Sequence, residues 1–369
     1  MSQWLPNSYG KNGSEYAHTT SRSYVSVMKA AFFNDHGGPE VVQVGECPNP
    51  EPGEREVRVE VKAASLNHLD LWVRRGLPGL KLEMPHIGGS DMAGVIDAVG
   101  PEVTGWQPGD RVAVNPGVWC GTCEWCKRGQ HPLCVSYRIL GEHVAGGFAE
   151  LAVVPVTSLY QIPEEFPFEK AAAAALVYQT AWRGLVTQGG LQPGETVLVT
   201  GASGGVSTAA IQISKHFGAR VFAVTSGPKN VERVQQLGAD LVIDRLEEDF
   251  SKRVWKETSK RGVDLVLDSV GEATWENCIR ALSRLGRMVV YGATTGLGGR
   301  VNIARLFSSQ TKIMGSTMAT QSEFERVMDL VVRGELQPVI DAVWPLEQVQ
   351  EAHERLEAGG VFGKLVIAP

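Results

Sequence analysis

The segment from Glu195 to Thr317 alternates between short apolar runs and amphipathic stretches, and this alternation constrains the fold more than any other feature. The apolar runs are typical of buried strands and cover 195–200, 220–225, 241–244, 263–271, 287–294 and 312–317. Stretches of helical character separate them, such as 208–218, which Gly218 closes. Strands that alternate with helices predict a parallel, doubly wound sheet of the α/β class, here with six strands.

A glycine-rich turn, GASGGVS at 201–207, follows the first of these strands. Such a turn lets the pyrophosphate of a dinucleotide approach a helix N-terminus. The motif is imperfect because serine replaces its last glycine. The strand before it and the helix after it therefore favour dinucleotide binding over a structural turn in an unrelated sheet. Cofactor contacts are expected at five positions in this turn: Gly201, Ser203, Gly204, Gly205 and Val206.

The end of the second strand bears on the choice of cofactor. An NAD site places Asp or Glu there to bind the ribose 2′-hydroxyl. This chain has Thr225, Ser226 and Lys229 in that region and no carboxylate among residues 225–229. Hydroxyls and a lysine suit a 2′-phosphate, so the sequence favours NADPH over NADH.

Four cysteines lie within fifteen residues, in the spacing C-x2-C-x2-C-x7-C. Neighbours this close do not easily reach disulfide geometry, but they can surround a tetrahedral zinc ion. Four protein ligands leave no open position, so we expect one structural zinc per chain rather than unrelated thiols. The predicted ligands are Cys120, Cys123, Cys126 and Cys134. Cys47 and Cys278 lie far away in sequence and are expected to be buried free thiols.

Composition excludes several classes of function. The net charge is −6, with no long basic run, which argues against nucleic acid and anionic membranes as partners. No apolar run reaches the roughly 18 residues of a membrane helix. Residues 1–27 are polar and lack an apolar signal region, so they predict a disordered extension; an organelle transit peptide and an upstream start before Met28 are alternatives. A cytoplasmic location is expected.

Residues 28–160 contain many short strands with turn signals, which indicate a β-barrel-like domain. The motifs run in order from EVRVEVKAASLNHLDLWVRRG through GGSDMAGVIDAVGPEVTGWQPGDRV and the cysteine loop to the nucleotide-binding half. In this order the chain resembles the zinc-containing alcohol dehydrogenase and quinone oxidoreductase superfamily, the medium-chain dehydrogenase/reductases. The resemblance implies a GroES-like catalytic domain over 28–177 and 319–369, a zinc lobe over 115–135, and a Rossmann domain over 178–318.

The resemblance separates the two zinc sites of the family. Alcohol dehydrogenases of this family have a cysteine at the position of Asn67, histidine and glutamate at Ser90 and Asp91, and a cysteine or acid where this chain offers Leu176. These replacements make a poor zinc shell, so a catalytic zinc is not expected. Members without it reduce quinones, enones or enoyl thioesters with NADPH. That reaction is the expected function, with an NAD(P)-dependent zinc alcohol dehydrogenase and a non-catalytic cofactor-binding scaffold as alternatives.

The resemblance also implies roles for single residues. On the substrate side it points to Asn67, Asp70, Asp91 and Tyr178, where a turn asparagine, a helix cap and core packing are the simpler explanations for Asn67, Asp70 and Tyr178. The cofactor contacts that it implies are His68, Thr180, Tyr291, Gly292, Ala293, Ser316 and Lys364. His68 and Lys364 would reach the pyrophosphate, although His68 could equally be a surface histidine. Pairing through the edge of the sheet near residues 299–307 predicts a homodimer or homotetramer.

Overall fold

The computed structural model describes residues 26–369 of the chain. The extension expected over residues 1–27 therefore lies, up to residue 25, outside the described part. The strands are β1 (Val27–Phe33), β2 (Gln43–Pro48), β3 (Glu56–Ser65), β4 (His86–Ile87), β5 (Asp91–Val99), β6 (Arg111–Val114), β7 (Gly117–Val118), β8 (Arg138–Ile139), β9 (Leu151–Pro155), β10 (Leu159–Gln161), β11 (Thr196–Val199), β12 (Arg220–Thr225), β13 (Leu241–Asp244), β14 (Val263–Asp268), β15 (Leu282–Val290), β16 (Lys312–Gly315), β17 (Ile340–Pro345) and β18 (Lys364–Ala368).

The helices connect and cover these strands. They are α1 (His68–Arg75), α2 (Glu124–Lys127), α3 (Phe168–Trp182), α4 (Gly205–His216), α5 (Pro228–Gln236), α6 (Phe250–Glu257), α7 (Trp275–Ala281), α8 (Ile303–Ser309), α9 (Gln321–Val332) and α10 (Val349–Glu357). A π-helical turn over Arg183–Gln188 follows α3 directly. Within residues 26–369, no helix combines the length and the apolar character needed to cross a membrane.

The nucleotide-binding half is a six-stranded sheet in the order β13-β12-β11-β14-β15-β16, and every neighbouring pair is parallel. Its central strands are apolar on both faces, because Val197–Val199 and Val221–Val224 are all buried beneath helices. This sheet confirms the α/β class and the six parallel strands expected from the sequence.

The other half is built on a mixed seven-stranded sheet with β3 near its centre. Strand β3 pairs with β5, β9 and β18, so the C-terminal strand of the chain returns to lie beside residues that precede it by about 300 positions. The short strands expected over residues 28–160 are confirmed as this β domain. The return of β18 brings the C-terminal segment to the functional site described below.

Helix α3 lies between the two halves. All residues from Ala171 to Trp182 are buried, as expected for a helix that is apolar on every side. It packs against β3 and β5 of the β domain and against α4 and α9. Its alanine run allows both sets of elements to approach closely, so one helix fixes the spacing of the two halves.

Candidate active site

Three strand ends meet at one edge of the β domain. Strand β3 ends at Ser65, which pairs with Asp91 at the start of β5, and Val366 of β18 pairs with Ser65 on the other side. Because the neighbours of β3 run antiparallel to it, the starts of β5 and β18 lie beside its end. The polar side chains at these termini therefore converge, although they come from three distant parts of the sequence.

The polar cluster consists of an ion pair, Lys364 and Asp91, and the amide of Asn67, which bonds to both charged groups. The Lys364 ammonium donates to Asn67 Oδ1 at 2.5 Å and to Asp91 Oδ2 at 2.9 Å. Asn67 Nδ2 donates to the same Asp91 oxygen at 2.8 Å, and the Ser65 hydroxyl donates to it at 2.9 Å. The backbone N–H of Leu176 donates to Asp91 Oδ1 at 2.7 Å. Both charged groups are buried, so this pair is held by hydrogen bonds as well as by charge.

Asp70 fixes the position of Asn67 from the other side. Its carboxylate accepts the backbone N–H of Asn67 at 2.7 Å and that of Gly89 at 3.1 Å. This bond to Asn67 fixes the start of helix α1, as the helix-cap explanation expected, and the bond to Gly89 also ties down the loop before Ser90. Burial raises the pKa of Asp70 from 3.8 to about 7. Asp70 is therefore placed as a positioning residue behind Asn67.

Replacing Asp70 by asparagine tests this pKa through the pH dependence of stability. Because the pKa of the folded protein lies above the ordinary value, the carboxyl contributes stability that is fully present below about pH 4 and is lost as the pH rises through about 7. We expect the free energy of unfolding of the wild type, measured by urea denaturation, to fall relative to that of D70N across this interval. Parallel pH curves for the two proteins would contradict the raised pKa.

Two residues expected at the site, Tyr178 and Thr180, lie on α3. Tyr178 is 1% exposed, and its hydroxyl accepts from Gln212 of α4 at 3.0 Å. The structure therefore places it in the packing between α3 and α4, outside the polar cluster, which favours the core-packing explanation given above. The Thr180 hydroxyl donates to the Leu176 carbonyl at 2.7 Å, so Thr180 can offer a cofactor its methyl group or a hydroxyl oxygen that accepts, but no free donor.

The structure places the two residues expected at the pyrophosphate, His68 and Lys364, in different surroundings. His68 is exposed and packs edge-on against Trp72, with ring centroids 5.1 Å apart. The shielding of part of its ring from water and the nearby Arg75 lower its pKa. The Lys364 ammonium is directed to Asn67 and Asp91, while its stem lies against the glycine turn. The structure thus places the charge of Lys364 in the polar cluster.

The glycine turn is joined to the β domain at this point. Gly363 donates to the Ser203 carbonyl at 2.8 Å, and Gly204 and Gly363 form an isolated bridge. A Cβ added at Gly205 would lie 2.8 Å from Cδ of Lys364, so the approach of β18 requires a glycine there. Gly201 has φ +56°, and Val206 lies in the first turn of α4. Gly201, Ser203, Gly204, Gly205 and Val206 are therefore contiguous with the polar cluster.

A cation that sequence reasoning missed lies at the end of β12. Arg245 follows β13, and its Nε donates to the Ser226 hydroxyl at 2.6 Å. The Thr225 hydroxyl is buried and has no hydrogen-bond partner within the described residues. Lys229 is exposed in the first turn of α5. The sequence did not indicate Arg245, because it follows β13, the next strand of the sheet. The dinucleotide-binding motif concerns only the residues directly after the second strand.

The ends of β14, β15 and β16 complete the border of the nucleotide side. The Tyr291 hydroxyl lies 3.3 Å from the Ser207 hydroxyl, which donates to the Thr200 carbonyl. Asp268, another residue that sequence reasoning missed, accepts from the hydroxyls of Thr200 and Thr274 at 2.6 and 2.8 Å. These bonds tie the glycine turn to the neighbouring strand end. Three further residues expected at this border follow the same strands: Gly292, Ala293 and Ser316.

The four cysteines converge as expected. The Sγ atoms of Cys120, Cys123, Cys126 and Cys134 all lie within 4.8 Å of one another. Backbone N–H groups of Cys120 and Cys123 point at sulfur atoms of the set at 3.4 Å, which suits thiolates around a cation. This arrangement fits a structural zinc with no open coordination position. Within residues 26–369 it is also the one group of three or more His, Cys, Asp or Glu side chains close enough to share an ion.

Two family models match the chain. The model described as alcohol dehydrogenase GroES-like domain matches residues 53–164, and the model described as zinc-binding dehydrogenase matches residues 205–333. The chain belongs to the medium-chain dehydrogenase/reductase superfamily. It is therefore an NAD(P)-dependent oxidoreductase with a GroES-like domain and a structural zinc lobe, and an enzyme rather than an idle scaffold.

Relatives with three different activities resemble the chain, at identities from 29% to 45%. The acryloyl-coenzyme A reductase of Sulfurisphaera tokodaii is 33% identical over 88% of this chain and 95% of its own length. The quinone oxidoreductase of Homo sapiens is 29% identical over 92% of this chain and 98% of its own. A crystal structure of an NAD-dependent alcohol dehydrogenase is 45% identical, covers 93% of this chain and 100% of its own, and superposes with a TM-score of 0.89. Overall similarity thus leaves the acceptor to be argued from the site.

Proposed function

We propose that this oxidoreductase uses NADPH to reduce a quinone or an activated alkene without a catalytic zinc. The observation that carries the proposal is the buried contact of Asn67 with Lys364 and Asp91. An amide held in this way is a poor metal ligand. Ser90 offers one buried hydroxyl and Leu176 only its backbone, so the remaining residues do not complete a zinc shell.

The cluster leaves an N–H of Asn67 free to donate to an acceptor oxygen. Asn67 Oδ1 accepts a hydrogen bond from Lys364, and one N–H of Nδ2 donates to Asp91. These two bonds fix the orientation of the amide. The second N–H of Nδ2 has no partner in the cluster and is free to donate. A donor fixed in advance stabilises negative charge as it develops on an enolate or hydroquinone oxygen. Bound NADPH supplies the hydride, and water supplies the proton that neutralises the oxygen or carbon. Quinones and enones suit this site because they are electrophilic without a Lewis acid.

The adenosine end supports NADPH as the donor. Ser226 and Arg245 lie together where a 2′-phosphate would be recognised, and within the described residues the Arg245 guanidinium has no carboxylate partner. We expect R245A to raise the KM for NADPH about tenfold or more, because charged hydrogen bonds to phosphate are lost, and to leave the KM for NADH unchanged. K229A is the control on the same surface and should have a smaller effect. Equal effects of R245A on both cofactors would contradict this assignment.

The second candidate is a zinc alcohol dehydrogenase that uses NAD. The observation that favours it is the 45% identity to a solved NAD-dependent alcohol dehydrogenase over nearly the whole chain. Such an enzyme needs a second zinc ion per chain, so metal content separates the two candidates directly.

The test follows NADPH oxidation with a benzoquinone, an enone and a simple aldehyde in parallel, together with a zinc count. Turnover with the quinone or the enone, none with the aldehyde, and one zinc per chain are expected. Turnover with the aldehyde alone and two zinc ions per chain would overturn the proposal in favour of the second candidate.

We also propose that two copies pair through the outer edge of β16. Beside this unpaired edge, Leu297, Ile303 and Phe307 are 96%, 73% and 70% exposed, an apolar surface that suits a second copy of the chain. We expect F307D to halve the mass measured by light scattering. L246D is the control, because Leu246 is 66% exposed but follows β13 at the opposite edge. A wild type that is already monomeric would contradict the proposal.

A further inference from the structure

The chain passes between the two halves twice, and the two passages lie side by side. The first runs from α3 through the π-helical turn Arg183–Gln188 to β11. The second runs from β16 to Thr320, which caps α9. A dinucleotide held at the glycine turn would lie where Gly363 of the β domain meets Ser203, so these passages would set how closely the halves approach the cofactor.

One buried guanidinium joins both passages to the zinc lobe. Arg183 is 3% exposed; its Nη1 donates to Glu323 Oε2 at 2.8 Å and its Nη2 donates to Gln130 Oε1 at 3.0 Å. Glu323 belongs to the second passage, because it also accepts the backbone N–H of Thr320 at 2.7 Å. The Thr187 hydroxyl of the first passage donates to the other oxygen of Glu323.

A second contact between the lobe and α9 supports this arrangement. The backbone N–H of Gln321 donates to His131 Nδ1 at 3.2 Å, and Trp119 stacks on His131 with ring centroids 4.2 Å apart. Gln130 and His131 both lie in the loop between the third and fourth cysteines. The closure of this loop around zinc therefore sets the position of the two side chains that reach the passages.

We propose that the zinc lobe and the cofactor cleft are energetically coupled through Arg183, which acts as a positioning residue. A cofactor that spans the two halves holds the passages in one arrangement and thereby holds Gln130 and His131 in place. By linkage, the cofactor tightens the binding of zinc, and the zinc-loaded lobe tightens the binding of the cofactor by the same factor at equilibrium. Because the same contacts hold the lobe closed, we expect the cofactor also to slow the loss of zinc. The proposal does not depend on which acceptor the enzyme reduces.

The test measures the rate of zinc transfer from the purified protein to a chromogenic chelator, with and without saturating NADPH. We expect the cofactor to slow zinc loss about fivefold or more. Adenosine 2′,5′-bisphosphate is the control ligand, because it occupies the nucleotide half without spanning the cleft, and it should not protect the zinc. Equal rates with and without NADPH, or equal protection by the two ligands, would overturn the proposal.

Two variants assign the coupling to Arg183. R183K keeps a positive charge beside Glu323 but cannot donate to Glu323 and Gln130 together, because an ammonium lacks the guanidinium fork. Q130A removes the lobe contact from a half-buried position and leaves the Arg183–Glu323 pair in place. Both should retain one zinc and lose the protection by NADPH. R220K, which alters a surface pair with Glu257, should keep it. Protection that persists in R183K and Q130A would overturn the assignment.

Discussion

Replacing Lys364 by methionine is expected to lower the free energy of unfolding by about 3–5 kcal/mol. Methionine keeps most of the stem that packs against Gly205, so the main loss is the ammonium. Asp91 then remains buried with a negative charge that three hydrogen bonds alone must support. Asn67 loses the partner of its Oδ1, so turnover should fall as well. Chemical denaturation and steady-state kinetics measure the two effects separately.

The double variant K364M/D91N is the matched control. Removing both charges leaves no unpaired ion in the interior, so the double variant should be more stable than K364M alone and should show a favourable coupling energy in a double-mutant cycle. Turnover should stay low, because Asn67 still lacks its fixed partners. A cost below about 1 kcal/mol for K364M would mean that the pair contributes no more than a surface ion pair.

Loss of one zinc ligand is the other change with a large expected effect. We expect C134S to contain no zinc and to be cleaved by protease within residues 115–135. The lobe has little regular structure of its own; α2 comprises Glu124–Lys127 and cannot form alone at that length. Metal binding therefore supplies much of the free energy that folds this segment. Elemental analysis and limited proteolysis with mass spectrometry measure both outcomes.

The matched control is C47S, because Cys47 is buried in the β domain away from the lobe. It should retain one zinc and resist cleavage within residues 115–135. A C134S protein that keeps one zinc per chain, or that is cleaved no faster than C47S, would show that the lobe does not depend on the metal.

Local patterns were sufficient to predict the nucleotide half. The bounds expected for two strands, 220–225 and 241–244, agree with β12 and β13. Helix α4 begins at Gly205 rather than at residue 208, so the last three residues of the expected glycine turn, 205–207, are helix. Strand β18 packs closely against the start of this helix, at Gly204 and Gly205, and a side chain at Gly205 would collide with Lys364. A strand distant in sequence thus borders the start of α4.

The sequence identified most residues of the active site, but it did not predict which of them contact one another. Asn67, Asp91 and Lys364 were each identified, yet the bond between Lys364 and Asn67 joins residues 297 positions apart. No local pattern encodes the return of β18 beside β3. The same reason explains why Arg183, Asp268 and Arg245 were missed. Their roles depend on hydrogen-bond partners from other helices and strands, and no motif surrounds any of the three in the sequence. Tyr178 was identified by the resemblance, but neither its helix nor the contact with Gln212 was predicted.

The placement of α3 limits how the two halves can be exchanged between relatives during evolution. One face of the helix serves Asp91 through the Leu176 N–H, another meets α4 through Tyr178, and its C-terminal end leads to Arg183. Helix α3 therefore makes essential contacts with both halves of the protein. A chimera that joins the β domain of one relative to the nucleotide half of another would mismatch one face of α3 whichever parent supplied it. Substitutions on this helix should therefore covary with residues in both halves.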